Sequence, residues 1–207
     1  MFKKKKYTVI KQAISKDLAI FIANYFRMQK QVYDTCRERR YFSPFETIIG
    51  YYEGENEQIP NTYSQYANVA METLMLKCQP IMEKTTGLKL DPNYTYARIY
   101  KKGDELKRHK DRFSCEISTT MNLAGDDWPI YLEPSGETGK KGIKVDLKPG
   151  DMLVYRGIEL EHWREKFKGK ECVQVFLHYN NRKTPGAKKN IFDKRPHLGL
   201  PDWFRKG

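Results

Sequence analysis

The chain has 207 residues, of which 13% are aromatic, and it carries a formal net charge of +12 at pH 7. This length suits one domain with a sizeable core, and the aromatic content argues against a disordered chain. The charge favours solubility and attracts polyanions, but no basic helix or basic-aromatic repeat accompanies it, so nucleic acid is kept only as an alternative partner.

The four cysteines form no Cys-x-x-Cys pair and have no histidine at zinc-ligand spacing. Free thiols are typical of a reducing compartment. The lysines near the amino terminus precede no apolar run, and the longest apolar stretch, residues 18–26, is too short to cross a bilayer. We therefore expect a cytoplasmic protein with no membrane partner, and the sequence does not indicate an oligomeric state.

The amino-terminal part of the chain is predicted to be mainly helical. A half-buried strand is predicted over residues 7–14, and Ser15 is predicted to cap a helix that follows it. Residues 37–60 are predicted to be irregular. A long amphipathic helix is predicted from Asn61, because apolar residues recur there at intervals of three and four, and Pro80 is expected to kink it or end it early.

After Gly87 the pattern changes to short strand-like runs that are separated by turn residues. The predicted strands are 94–100, 116–123, 130–132, 144–147, 152–156 and 172–179. Such runs favour an antiparallel sandwich or barrel. We predict one α+β domain over residues 1–182, with helical support in 1–92 and a β core in 93–182, followed by a basic, extended surface tail in 183–207.

The chain has only four histidines, and two of them suggest a metal site. His109 and Asp111 are two residues apart, so alternation along a strand places both side chains on one face. His162 follows a later strand and a turn. Two imidazoles and one carboxylate on one face of an ion suit non-heme Fe(II) chemistry with oxygen. The alternative is that both histidines are ordinary solvated or packed residues, as we interpret His178 and His197.

Three segments resemble the 2-oxoglutarate and Fe(II)-dependent oxygenases, and most closely their prolyl 4-hydroxylase-like branch. They are YARIYKKGDELKRHKDR (96–112), KPGDMLVYRGIELEHWRE (148–165) and CVQVFLHY (172–179). The resemblance implies a double-stranded β-helix of the jelly-roll or cupin-like type with supporting amino-terminal helices. It implies Fe(II) on His109, Asp111 and His162, with 2-oxoglutarate and O2 as co-substrates. Small members also resemble bacteriophage proteins, for which the host cytoplasm is the expected location.

The residue that binds the distal carboxylate of 2-oxoglutarate departs from the family pattern. Where the family supplies an Arg or Lys, this chain has the uncharged Cys172. Arg164, two residues after His162, points the same way if the strand continues, and a guanidinium binds a carboxylate through two hydrogen bonds. We therefore predict Arg164 as this cation, with Lys170 as the second choice. The alternatives are an ion pair at the rim for Arg164 and a solvated position for Lys170.

Two further residues, Tyr100 and Arg98, are predicted to lie near 2-oxoglutarate. The family often has a tyrosine on the strand before the His-x-Asp motif, with its hydroxyl towards the same carboxylate, and Tyr100 takes that position. Arg98 shares its strand face by alternation. An inward arginine requires an anionic partner, for which 2-oxoglutarate, Asp111, the substrate and a structural carboxylate all remain open.

The predicted function is hydroxylation of a C–H bond, with a protein or peptide residue such as proline as the first candidate substrate and with release of succinate and CO2. A nucleic-acid base and a small metabolite are alternative substrates. A non-catalytic cupin-like module that binds a metal or ligand and a charge-driven nucleic-acid-binding protein are alternatives from other classes. A long channel beside His109 would fit a peptide, a closed pocket a metabolite, and a basic aromatic slot a base.

Overall fold

The computed structural model describes residues 2–43 and 45–206. The helices among them are α1 (Phe2–Lys5), α2 (Lys16–Glu38) and α3 (Val69–Thr86). The strands are β1 (Tyr7–Ile10), β2 (Tyr51–Tyr52), β3 (Tyr63–Tyr66), β4 (Leu90–Lys101), β5 (Leu106–His109), β6 (Ile117–Gly125), β7 (Ile130–Leu132), β8 (Ile143–Val145), β9 (Met152–Tyr155), β10 (His162–Arg164) and β11 (Glu171–Asn181). Short 3-10 segments cover Phe113–Cys115, Ala187–Lys194 and Asp202–Phe204.

The strands form two antiparallel sheets. The larger sheet has the order β1-β9-β6-β11-β4-β3-β2, and the smaller has the order β5-β10-β7-β8. From β4 to β11 the chain passes repeatedly from one sheet to the other, which is the winding of a jelly roll or double-stranded β-helix. The predicted fold class is therefore confirmed, and the pairing of β5 with β10 joins the two segments that carry the histidines of the predicted metal site.

The two long helices support the larger sheet, α2 against β6 and α3 against β4. Ser15 caps α2 as predicted, since its hydroxyl accepts a hydrogen bond from the Leu18 amide at 3.2 Å. None of the described helices combines the length and the apolar composition of a bilayer-spanning segment.

The predicted start of α3 is wrong, and Pro80 does not end the helix early. The helix begins after Asn68, because residues 63–66 form the buried strand β3, and it ends at Gly87, whose φ is +68°. Pro80 lies inside α3 and removes one hydrogen bond without ending the helix. Burial of the apolar face around Met75 and Met82 compensates for that loss.

The carboxyl-terminal segment differs from the extended tail that we expected, because buried ion pairs fix it to the core. The Asp193 carboxylate accepts hydrogen bonds from Arg112 at 2.8 and 2.9 Å and from Ser114 at 2.6 Å. Arg195 pairs with Glu72 at 2.7 Å, and both side chains are almost completely buried. A stretch rich in lysine resembles a solvated tail in sequence, but these ion pairs make it part of the wall beside the candidate site.

Candidate active site

The structure brings His109, Asp111 and His162 together. His109 ends β5 and lies directly opposite His162, the first residue of β10. Their ring centroids are 4.3 Å apart. The Asp111 Oδ1 atom lies 3.7 Å from His109 Nε2 and 3.4 Å from His162 Nε2. One ligand atom from each residue therefore faces a common point, as a metal site of this type requires.

Backbone carbonyls determine the tautomers of both imidazoles. His109 Nδ1 lies 2.7 Å from the Lys107 carbonyl oxygen, and His162 Nδ1 lies 3.1 Å from that of Leu160. A carbonyl oxygen can only accept, so each Nδ1 carries the proton when the ring is neutral. Each Nε2 lone pair is then directed towards Asp111, which is the orientation that a metal ligand needs.

The Asp111 carboxylate is held ionised in a tightly packed position. Burial alone would raise its pKa, but in the metal-free protein the imidazoles of His162 and His109, when protonated, hold the pKa well below its usual range. The Asp111 amide donates to the Gly157 carbonyl at 2.9 Å. A methyl group on Gly157 would collide with Asp111 Oδ2 and with the Cys115 carbonyl, so a glycine is required at this close approach.

His178, which we interpreted as structural, lies nearer to the candidate site than expected. Its Nδ1 atom is 3.0 Å from Ser118 Oγ, and that hydroxyl lies 2.8 Å from Asp111 Oδ2. Burial lowers the pKa of His178 to about 4, so the ring is neutral near pH 7. The sequence contained no local signal for this contact, because it depends on the pairing of His178 with Ser118 between β11 and β6.

Arg98 has a structural carboxylate as its partner, which was one of the open alternatives. Its Nε donates to Glu53 Oε1 at 2.7 Å, and both side chains are buried. Burial acts to lower the pKa of Arg98, but Tyr100, Tyr96 and Glu53 together raise it above its ordinary value.

The amide of Gln58, which the sequence did not single out, links Arg98 to His109. Its Oε1 accepts from Arg98 Nη1 at 2.9 Å, and its Nε2 lies 3.3 Å from His109 Nε2. Because that imidazole nitrogen carries a lone pair, the amide of Gln58 donates to the atom that would bind the metal.

Arg164 is buried without a carboxylate. Its side chain, 1% exposed, donates to the Trp128 carbonyl, to Thr120 Oγ1 at 3.1 Å and to Gln174 Oε1 at 3.4 Å, while its Nε has no partner among the described residues. Burial lowers the pKa of this guanidinium, and nearby Cys172 is the largest opposing influence. An uncompensated cation here is costly, so the position favours an anionic ligand.

The two remaining residues that the sequence predicted for 2-oxoglutarate binding are Tyr100 and Lys170. Tyr100 is completely buried, packs edge-on against Trp128, and has its hydroxyl 3.5 Å from Arg98 Nη1. Lys170 is exposed in the turn between β10 and β11. Tyr155, which we did not predict, lines the cavity beside the three candidate ligands and packs against His162 with ring centroids 4.7 Å apart.

A cavity of about 520 Å³ opens beside the three candidate ligands. Its volume lies in the range of small-molecule and substrate sites. Five tyrosines, Tyr51, Tyr66, Tyr94, Tyr96 and Tyr155, line its wall. Neither Arg164 nor Tyr100 belongs to its lining.

Solved structures with similar folds are known, although no protein-family model and no curated protein matches the sequence. The Pseudomonas putida prolyl-4-hydroxylase is 16% identical, with 87% of this chain and 95% of that chain covered and a TM-score of 0.55. The viral collagen prolyl hydroxylase of Paramecium bursaria Chlorella virus-1, solved with 2-oxoglutarate, is 12% identical, with 86% and 97% covered and a TM-score of 0.57.

A third similar structure is the non-heme α-ketoglutarate-dependent carbocyclase SnoK of nogalamycin biosynthesis. It is 11% identical, with 86% of this chain and 80% of that chain covered and a TM-score of 0.61. The chain has the fold of the 2-oxoglutarate and Fe(II)-dependent oxygenases. At these identities the likeness establishes the fold alone, and the reaction has to be argued from the site.

Proposed function

We propose that the protein is an Fe(II)- and 2-oxoglutarate-dependent oxygenase whose metal ligands are His109, Asp111 and His162. The observation that carries the proposal is that one ligand atom of each residue lies within 4.8 Å of the other two. Two imidazoles and one carboxylate suit Fe(II) and leave coordination positions open for reactants. When bound, the ion and its co-substrates supply the oxidising chemistry, and the chain positions the reactants and excludes water.

For 2-oxoglutarate, the proposal assigns the distal carboxylate to Arg164. This residue is on the same short strand as His162 and is a buried cation that lacks an anion. The Thr120 hydroxyl, 3.1 Å from the guanidinium, would share that carboxylate. Tyr155 is a candidate hydroxyl donor beside Tyr100, because Tyr155 lines the cavity next to the three proposed ligands.

Arg98 and Lys170 are weaker candidates for the same role. The charge of Arg98 is already balanced by Glu53, so a second carboxylate would compete with a buried ion pair. Lys170 is exposed to solvent, where a cation gains little from binding an anion. The comparison favours Arg164 as the only one of the three that is both buried and without a carboxylate.

As substrate we propose a protein or peptide residue such as proline. The tyrosine rings on the cavity wall offer flat apolar surfaces of the kind that bind proline-rich segments. The arginines on the wall have carboxylate partners, Glu53 for Arg98 and Asp193 for both Arg112 and Arg205. The basic and acidic side chains that line the cavity are also equal in number, which leaves little unbalanced charge for a nucleic acid and favours a peptide over a base; the basic ones are Arg98, Lys110, Arg112 and Arg205, and the acidic ones are Glu53, Glu57, Asp111 and Asp202.

The test is succinate formation from 2-oxoglutarate by the purified protein with Fe(II) and O2, with pools of proline-containing peptides, single-stranded oligonucleotides and amino acids. We expect succinate to rise with the peptide pool and one peptide to gain the mass of one oxygen atom. The Asp111→Ala variant should form no succinate even without substrate, whereas His197→Ala, which removes an exposed histidine, should behave as wild type.

Two outcomes would contradict the proposal. Metal binding without succinate formation from any pool would indicate a non-catalytic cupin-like module. Succinate formation that persists in Asp111→Ala would show that the assigned ligands are wrong. A product in the oligonucleotide pool instead of the peptide pool would support the proposed reaction and would show that the substrate is a nucleic acid, not a peptide.

A further inference from the structure

The second oxygen of Asp111 has partners of its own. Oδ1 faces the two imidazoles, whereas Oδ2 lies 2.8 Å from Ser118 Oγ. That hydroxyl lies 3.0 Å from His178 Nδ1. Ser118 and His178 are both buried, at 0% and 6% exposure, so bulk water does not replace these contacts. The two oxygens of one carboxylate therefore face different groups.

One arrangement of the protons lets Ser118 donate to Asp111 and also accept from His178. The Ser118 hydroxyl has one proton, and its neighbours Asp111 Oδ2 and the Cys115 carbonyl, at 2.8 Å each, can only accept it. If His178 carries its proton on Nδ1, it donates to Ser118, which then donates to Asp111. A hydrogen bond from a hydroxyl to a buried carboxylate is charge-assisted and correspondingly strong.

We propose that Ser118 and His178 are positioning residues that make Asp111 a ligand through one oxygen. This inference rests on the proposed metal site. Ser118 engages Oδ2 and His178 holds Ser118, so Oδ1 alone is presented to the metal. A carboxylate that chelated through both oxygens would occupy a second coordination position, which the co-substrate requires. The contact thus keeps that position open.

The same region offers a rival explanation, namely a second metal bound by Asp111, Cys115 and His178. Their ligand atoms also lie within 4.8 Å of one another. However, the Ser118 hydroxyl already lies between Asp111 and His178. Burial raises the pKa of the Cys115 thiol well above its usual range, which disfavours the thiolate that a metal would need. The hydrogen-bonded arrangement is therefore favoured over a second ion.

The experiment measures Ni(II) binding to the full chain by calorimetry, with Ni(II) as an air-stable probe of the metal site. Ser118→Ala and His178→Phe remove the contact and should weaken binding about 10- to 100-fold. His178→Asn places an amide N–H near the position of Nδ1 and should recover most of that loss. Thr95→Val removes a buried hydroxyl on β4 that has no hydrogen-bond partner among the residues that the structure describes, and it should bind as wild type.

The visible spectrum of the Co(II)-loaded protein is the second readout, because it responds to a change from one-oxygen to two-oxygen coordination. We expect a changed spectrum in Ser118→Ala and His178→Phe, and the wild-type spectrum in His178→Asn and Thr95→Val. If Ser118→Ala does not fold, the comparison of His178→Asn with His178→Phe carries the test.

Three results would overturn the inference in distinguishable ways. Wild-type affinity and spectrum in both Ser118→Ala and His178→Phe would show that the contact does not position Asp111. Two Ni(II) ions per chain, with one lost in Cys115→Ser, would establish the rival second site. If the wild type does not bind Ni(II), the assignment of the metal site is wrong, and the proposed function is wrong with it.

Discussion

Two buried arginines in the same barrel should respond very differently to replacement by methionine. Arg98 pairs with Glu53 at 2.7 Å, whereas Arg164 has only neutral partners. The Arg98→Met change leaves a buried carboxylate without its cation. The Arg164→Met change removes a buried charge that no carboxylate of the described residues pairs with. The first variant should therefore lose much more stability than the second.

The expected magnitudes follow from these contacts. Breaking a buried pair by removing one partner costs about 3–5 kcal/mol, so Arg98→Met should lower Tm by roughly 6–20 °C for a chain of this size. For Arg164→Met, relief of the desolvation penalty opposes the loss of its hydrogen bonds to the Trp128 carbonyl and Thr120. We expect a change within about 1 kcal/mol of zero.

Ligand binding separates the two arginines further. With Ni(II) in place of Fe(II), 2-oxoglutarate at about 100 times its Kd should stabilise the wild type by about 2.7 kcal/mol. This corresponds to a rise in Tm of roughly 5–10 °C. The rise should vanish in Arg164→Met and persist in Lys170→Met, which changes an exposed lysine.

The assay is thermal unfolding of the four proteins, with and without 2-oxoglutarate, followed by circular dichroism. The reasoning is refuted if Arg164→Met is as destabilised as Arg98→Met and still shows the 2-oxoglutarate shift. In that case Arg164 is a structural residue. The distal carboxylate would then belong to Lys170 or Arg98, whichever variant loses the shift.

Three further changes test the surroundings of the metal ligands. Gly157→Ala should weaken Ni(II) binding about 10- to 100-fold in calorimetry, because the added methyl displaces Asp111; unchanged affinity would contradict the close packing. Gln58→Ala should tighten Ni(II) binding roughly 2- to 10-fold, because its amide no longer occupies the His109 lone pair; weaker binding would exclude this competition. The pKa of His178 is about 4 in the fold, so the unfolded chain takes up this proton at a higher pH than the folded one. The metal-free protein should therefore lose roughly 3 kcal/mol of unfolding free energy, measured with urea, as the pH falls from about 6.5 to 4. His178→Asn should lack this loss, and the same dependence of stability on pH in both proteins would contradict the prediction.

The convergence of the three proposed metal ligands was predictable, because it depends on a local pattern and on strand order. Alternation places His109 and Asp111 together, and the winding of the fold brings His162 opposite His109. The partner of Arg98 was not predictable, since Glu53 comes from a segment between β2 and β3 with no sequence periodicity. The contact of Ser118 with His178 depends on the register of β6 against β11, which hydrophobic alternation does not determine.

The misplaced start of α3 has a related cause. Tyr66 matches the apolar spacing of the helix that follows, so a pattern of threes and fours extends backwards through it. In the fold, residues 63–66 pair with β4, and Asn68 caps the helix by accepting from the Met71 amide at 3.1 Å. Pairing of β3 with a neighbouring strand therefore overrides the local periodicity, as tertiary context often does.

The distribution of the +12 charge predicts how the KM for the substrate depends on salt concentration. Asp193 is shared by Arg112 and Arg205 at the cavity wall, and Glu53 neutralises Arg98, so most of the surplus charge lies away from the site. The KM for a peptide substrate should therefore change little between 50 and 200 mM salt. A site that contacted six to ten phosphates would lose about 10³- to 10⁵-fold in affinity over that range. A steep salt dependence of KM would show that the substrate is a polyanion, and that the ion pairs at the wall open to receive it.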